Sequence, residues 1–247
     1  MPSKSTADLV NFSRFTAISF DCYGTLIDWE AGILPIIREI LANHGQTASD
    51  ATILKLYGNF EAEAESGIYR NYKQVLQSVV LRFGQQFNFQ ASCAEEHALH
   101  ESIPAWPPFP DTVRALHDLQ KRYRLAVISN IDDDLFAQTQ EHWDLEFDAV
   151  ITAEKAGSYK PALNNFRLAL QTLAIAPGQL LHAGQSVYHD VVPARSLGVA
   201  TAWVNRPSAR PGVGAVRVVA EEDEEIRPDL EVPDLATLAA IALHAES

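Results

Sequence analysis

The chain has 247 residues, 47% of them hydrophobic, and a formal net charge of −13. That length and apolar content suit one large or two small domains with a true core, and no apolar run approaches the roughly 20 residues that span a bilayer. No Lys/Arg cluster offers the basic face of a nucleic-acid binder; the acidic excess serves solubility and disfavours anionic substrates unless the site gathers its few cations locally.

The first fifteen residues, MPSKSTADLVNFSRF, contain no long apolar segment of the kind a signal peptide needs. Cys22 and Cys93 are too few for a disulfide framework. Reduced thiols and a cytoplasmic location are the expectation.

Five short apolar or β-branched runs read as buried parallel strands: 15–20 (FTAISF), 124–130 (RLAVISN), 147–153 (FDAVITA), 179–184 (QLLHAG) and 200–205 (ATAWVN). Helical patterns separate most of them. Residues 111–123 carry an apolar stripe, 161–174 open on Pro161 as a first-turn proline, and 190–198 end at Gly198 as a helix C-cap. Such alternation predicts an α/β fold, a doubly wound, Rossmann-like parallel sheet. One interval breaks it. Between about Gly32 and Pro104 there is no convincing strand, and 32–45, 49–67, 69–87 and 93–103 all read as amphipathic helices. An all-helical cap subdomain, residues 32–104, is therefore expected, inserted into a core formed by 1–31 and 105–247. The proline-rich 103–111 returns the chain to the sheet. Residues 206–216 read as a loop, and the acidic 220–231 as a solvated loop.

In an open α/β sheet, ligands bind at the carboxyl ends of the strands. Asp21 follows the first strand, Ser129 and Asn130 end the second, Lys160 lies in EKAGSYKP after the third, and Asp190 in GQSVYHD after the fourth. Each alone has an ordinary structural explanation, as a cap, a turn residue or a surface lysine. Four consecutive strand ends together suggest a site. A positioned, partly desolvated carboxylate can attack an electrophile and form an ester. Lys160 would keep Asp21 ionised. Thr25, Ser129 and the turn amides would hold the anionic part of a substrate, and Asp190 would orient or activate water.

The order DCYGTL, helical insertion, VISN, SYKP and an acidic motif after a strand resembles the haloacid dehalogenase superfamily of hydrolases over about residues 15–206, with a C1-type cap. Within it, the resemblance is to type II 2-haloacid dehalogenases. It implies Asp21 as nucleophile, Ser129 and Asn130 as substrate-site groups, Lys160 as the cation beside the nucleophile, and Asp190 as the second carboxylate. Tyr23 stands where the phosphatase branch carries a second aspartate that protonates the leaving alcohol. A halide needs no such acid and an alkoxide does, so Tyr23 favours carbon–halogen cleavage; its bland reading is packing beneath the cap. Gln185 stands where magnesium-dependent members carry an acid, and a neutral amide weakens a hard-cation site. The expectation is that no cofactor is required, with Mg²⁺ admitted only under a phosphatase alternative. A catalytically silent binding protein is a third alternative. The chain departs from well-known dehalogenases at Gln185 and Val187, where they carry Ser and Asn, and at Phe166, where they carry Tyr. The resemblance also implies a cap arginine on the substrate carboxylate. Arg70, between Tyr69 and Tyr72, is the candidate and Arg38 the second choice.

The aspartates at 132–134 read as the acidic start of a helix, and His182 and His189 as structural neighbours of the fourth motif. Trp106 and Phe109 either line a pocket or seal the hinge. Expected partners are a small-molecule substrate, no nucleic acid and no membrane; a homodimer through cap or core helices is compatible with the sequence.

Overall fold

The computed structural model describes residues 10–206 and 227–244. Past Arg206, the loop expected at 206–216 lies outside the described residues, as does most of the acidic stretch at 220–231.

The sheet has six strands, all parallel: β1 (Ala17–Phe20), β2 (Arg124–Ser129), β3 (Ala149–Thr152), β4 (Leu180–Gly184), β5 (Ala200–Val204) and β6 (Leu230–Val232), in the spatial order β3-β2-β1-β4-β5-β6. β1 is buried along its whole length, as a central parallel strand covered on both faces must be. The order reverses direction at β1, so the crevice at its carboxyl end is the switch point where open α/β sheets bind ligands.

Helices α1 (Trp29–Asn43), α2 (Asp50–Glu65), α3 (Tyr72–Phe87) and α4 (Cys93–Ser102) lie between β1 and β2. Each begins where a polar side chain accepts from a first-turn amide: Asp28, Ser49, Asn71 and Ser92 in turn. Ser92 and Glu95 form a reciprocal capping box, and α3 stops at Asn88, in the left-handed region at φ 58°. The remaining helices flank the sheet: α5 (Thr112–Leu119), α6 (Asp133–Thr139), α7 (Ala153–Ala156), α8 (Leu163–Leu173), α9 (Val192–Ser196) and α10 (Leu235–His244). A continuous cluster of buried apolar residues runs from the cap helices through Trp106 to the sheet. Burying side chains of this size contributes roughly 1.5–3 kcal/mol each.

Two local expectations change. Pro161 is not a first-turn proline: it follows a cis Lys160–Pro161 bond, and α8 opens two residues later behind Ala162. Residues 187–191 do not start an α-helix but make one π-helical turn before α9. Among the described residues, no helix is long and apolar enough to cross a membrane.

Candidate active site

The carboxyl edge of the sheet collects the charges. Asp21 is the first residue past β1, anchored by its amide to Ala183 O at 3.0 Å. Lys160 Nζ lies 2.8 Å from Asp21 Oδ1 and 2.7 Å from Asp190 Oδ1, and also donates to Ile128 O at 2.9 Å. All three charged side chains are buried. Burial works against the Lys160 ammonium, but Asp190 and Asp21 outweigh it and hold its pKa above the ordinary lysine value. Asp190 is likewise opposed by burial and then held well below the usual carboxylate range by Lys160 and His182. Asp21 goes the other way: burial raises it and the charge of Asp190 adds to that, while Lys160 opposes. The result is an ionised Asp190 and a carboxylate at position 21 that its surroundings stabilise less.

The surrounding residues hold this trio still. Asn130 Oδ1 accepts from the Lys160 amide at 2.7 Å, and its Nδ2 donates to Lys160 O at 3.2 Å, clamping the lysine backbone. Thr25 Oγ1 donates to Asp21 Oδ2 at 2.8 Å and accepts from the Gln185 amide at 2.9 Å. Thr25 is fully buried, so it orients the Asp21 carboxylate from below instead of holding substrate. Asp190 accepts from Lys160, His182 Nε2 lies 3.2 Å from the same oxygen, and the Ser186 amide donates to Oδ2 at 3.2 Å. Enclosed by these contacts, it holds Lys160 in place. Two glycines make the close approaches: Gly24, at φ +97°, turns under the Gln185 side chain, and a Cβ on Gly184 would lie 2.5 Å from the Asp190 carboxyl carbon.

Above this floor is a cavity of about 1300 Å³ between sheet edge and cap. Asp21, Tyr23, Ser129, Asn130, Lys160, Gln185 and Asp190 all line it. Ser129 Oγ is buried and has no hydrogen-bond partner. Tyr23 presents its ring edge-on to Trp106, but its hydroxyl is bound to Thr139 Oγ1 at 2.8 Å, and burial pushes the phenol well above its ordinary pKa. His189, also on the wall, is pushed down to about 4 by burial and is neutral near pH 7.

The cap arginines are not where the resemblance put them. Arg70 is exposed and turns back to Ala64 O at 2.7 Å and Ser78 Oγ at 3.4 Å, and Arg38 pairs with Asp50 on the exterior. Neither lines the cavity. The hinge aromatics divide: Trp106 faces the cavity, whereas Phe109 lies under the Arg206 guanidinium at 3.9 Å. Asp132 at the head of the acidic triplet does not cap its own helix. It accepts from the amides of Tyr72 and Lys73, at 2.7 and 3.0 Å, and so caps α3 across the core–cap boundary.

Sequence reasoning missed two groups, Tyr159 and a stripe of α2, and named His182 only as a structural neighbour of the fourth motif. His182 Nδ1 lies 2.8 Å from Ser19 Oγ, and the ring sits behind Asp190 with Phe166 edge-on to it. Tyr159 lines the cavity and donates its hydroxyl to Arg70 O at 2.8 Å. The second missed group is Tyr57, Glu61 and Glu65 on α2, spaced by four and therefore on one helix face, turned to the cavity. That i, i+4, i+8 spacing was the signal available.

A parallel sheet with its charged trio at the switch point, under an inserted helical cap, is the arrangement of an α/β hydrolase. The model for the haloacid dehalogenase-like hydrolases matches residues 15–198, and the chain belongs to that family. It is 26% identical over 195 residues to (S)-2-haloacid dehalogenase H-109 of Pseudomonas putida, covering 78% of this chain and 86% of that one. It is 25% identical over 202 residues to the glyceraldehyde 3-phosphate phosphatase of Methanothermobacter thermautotrophicus, covering 76% and 85%. The fold superposes on the L-2-haloacid dehalogenase of Xanthobacter autotrophicus with a TM-score of 0.76 at 20% identity, over 93% of this chain and 99% of that one.

Proposed function

We propose that the chain hydrolyses a carbon–halogen bond of a 2-halocarboxylate through an ester on Asp21. The observation that carries this reading is Tyr23. Two residues after the nucleophile, it offers no acid to a leaving group, because its hydroxyl is engaged by Thr139 and its phenol is held well above the ordinary range by burial. A departing halide needs no proton; an alkoxide leaving phosphorus does.

Asp21 attacks the carbon bearing halogen, the new C–O bond forms as the carbon–halogen bond breaks, and halide leaves with the electron pair. Water then attacks the ester carbonyl carbon, regenerating the Asp21 carboxylate and releasing a 2-hydroxy acid and one proton. Lys160 stays beside Asp21 through both steps, aligning the attacking oxygen and offsetting charge on the ester carbonyl. The free Ser129 hydroxyl is a donor available to the substrate carboxylate.

A metal-free course is supported by the donor set. The ammonium of Lys160 lies between the two carboxylates, and the neighbouring position is the Gln185 amide, a poor partner for Mg²⁺. EDTA should leave halide release unchanged; activity restricted to phosphate esters and lost with EDTA would establish the phosphatase alternative. The covalent step is tested by a single turnover of 2-chloropropionate in H₂¹⁸O. Label is expected in the peptide containing Asp21, and product formed with no label there overturns the mechanism.

A further inference from the structure

The sheet edge and the cap present opposite electrostatic problems to a ligand. At the edge, the Lys160 ammonium is already shared by Asp21 and Asp190. On the cap, α2 turns Glu61 and Glu65 toward the same cavity. Glu61 Oε1 accepts from the hydroxyls of Tyr57 and Tyr72, at 3.0 and 2.5 Å, which fixes its direction without neutralising it. Glu65 reaches the Asn130 amide, and burial together with the Glu61 charge pushes its carboxyl well above the usual range, against the pull of Lys160. Two half-buried acids one helical turn apart hold their charge at a cost that a closer cation would lower.

The rest of this wall is aromatic. Trp29, Tyr57, Tyr72 and Tyr159 all line the cavity; Trp29 lies 5.6 Å from Tyr57, and Tyr72 6.5 Å from Tyr159, centroid to centroid. Ring faces beside carboxylates are the surroundings that attract organic cations. The same cavity holds the unpartnered Ser129 hydroxyl, itself 1% exposed, a donor for the carboxylate of a substrate whose cation the α2 acids receive. A cavity of about 1300 Å³ also exceeds what a three-carbon acid fills.

The geometry points to a zwitterionic substrate: a 2-halocarboxylate whose chain continues to a protonated amine or similar cation, received by Glu65 and Glu61 among the rings of Trp29, Tyr57, Tyr72 and Tyr159. This deepens the reading of the site given above and rests on it. It makes α2 the selectivity element and replaces the missing cap arginine with the opposite charge.

The test uses two probes without a leaving group, pentanoate and 5-aminopentanoate, titrated calorimetrically into the full chain. They differ only in the terminal ammonium. The aminated probe should bind at least about tenfold more tightly, a difference of ~1.4 kcal/mol. Glu65→Gln should erase that advantage while leaving pentanoate affinity and the unfolding temperature unchanged, and Glu61→Gln should reduce it. Equal or tighter binding of pentanoate, binding of neither probe, or an advantage that survives Glu65→Gln overturns the inference. Halide release is assayed separately. Release from 2-chloropropionate without a preference for the amine defeats this inference alone; a preference without release from any halogenated analogue defeats the reaction instead.

Discussion

The floor and the wall of the cavity are built on different principles. On the floor, every charge has a partner fixed by the fold: Lys160 joins Asp21 to Asp190, Asn130 clamps the lysine backbone, and Thr25 orients Asp21. On the wall, Glu61 is steered by two tyrosines, and Glu65 meets the Asn130 amide and the more distant charge of Lys160, so burial holds both acids above the ordinary carboxylate range. On the proposed reading, the reacting groups are in place before substrate arrives, as electrostatic preorganisation requires. Selectivity is left to groups whose compensation is incomplete until it does.

Removing the floor's cation breaks that contrast most severely. Lys160→Ala leaves two buried carboxylates facing each other, and the loss of one partner from a buried ionic cluster costs about 3–5 kcal/mol. Urea unfolding at pH 7 measures this, and a loss under about 1 kcal/mol would mean the floor is not held by charge. The pH profile moves as well. Asp21 must be ionised to attack, and burial already holds its pKa above the ordinary value of 3.8. Activity should therefore fall as pH drops through a limb lying above that value. The lysine lowers the Asp21 pKa, so its loss should carry the acid limb of kcat/KM further up, never down.

A smaller effect is expected where the two regions join. Asp132 belongs to the core but accepts from the first two amides of α3, at its positive dipole end. The Tyr159 hydroxyl makes a second crossing to Arg70 O. Asp132→Ala should cost about 1 kcal/mol, the usual loss for a helix cap, and should raise KM more than it lowers kcat, because the wall shifts while the floor stays intact. An equal fall in kcat would mean that cap placement governs the chemical step.

Most of the floor was legible from the sequence because it hangs on strand ends, where a short apolar run fixes the position of the next polar residue. The five longer strands were visible for the same reason. β6 was not: three residues, Leu230–Val232, at the end of an acidic stretch carry too little pattern. Arg70 was misplaced because it belongs to no helix. Asn71 caps α3, so residue 70 sits in the preceding turn, and helical periodicity says nothing about its direction. The wall was written in α2 as tyrosine, glutamate and glutamate at intervals of four. An amphipathic helix that buries Ile53, Leu54, Tyr57 and Phe60 gives no sign, before the core is in place, of which neighbouring stripe faces a cavity.

Tyr23 belongs to both regions, and it separates their roles at the smallest expected cost. Its main chain is in the nucleophile loop, where Tyr23 bridges to Ile27; its ring lies edge-on to Trp106 at the hinge, and its hydroxyl binds Thr139 on α6. Thr139 Oγ1 also donates to Leu135 O, so it keeps a partner when the phenol is removed. Tyr23→Phe keeps the ring and deletes one partly buried hydrogen bond, a loss of about 1 kcal/mol in stability. If the residue supplies shape and no proton, halide release should stay within about threefold of wild type and its pH profile should keep its form. A large fall in kcat on this change would make the hydroxyl a participant in the chemistry. It would also remove the strongest reason for preferring a halide to an alkoxide as the leaving group.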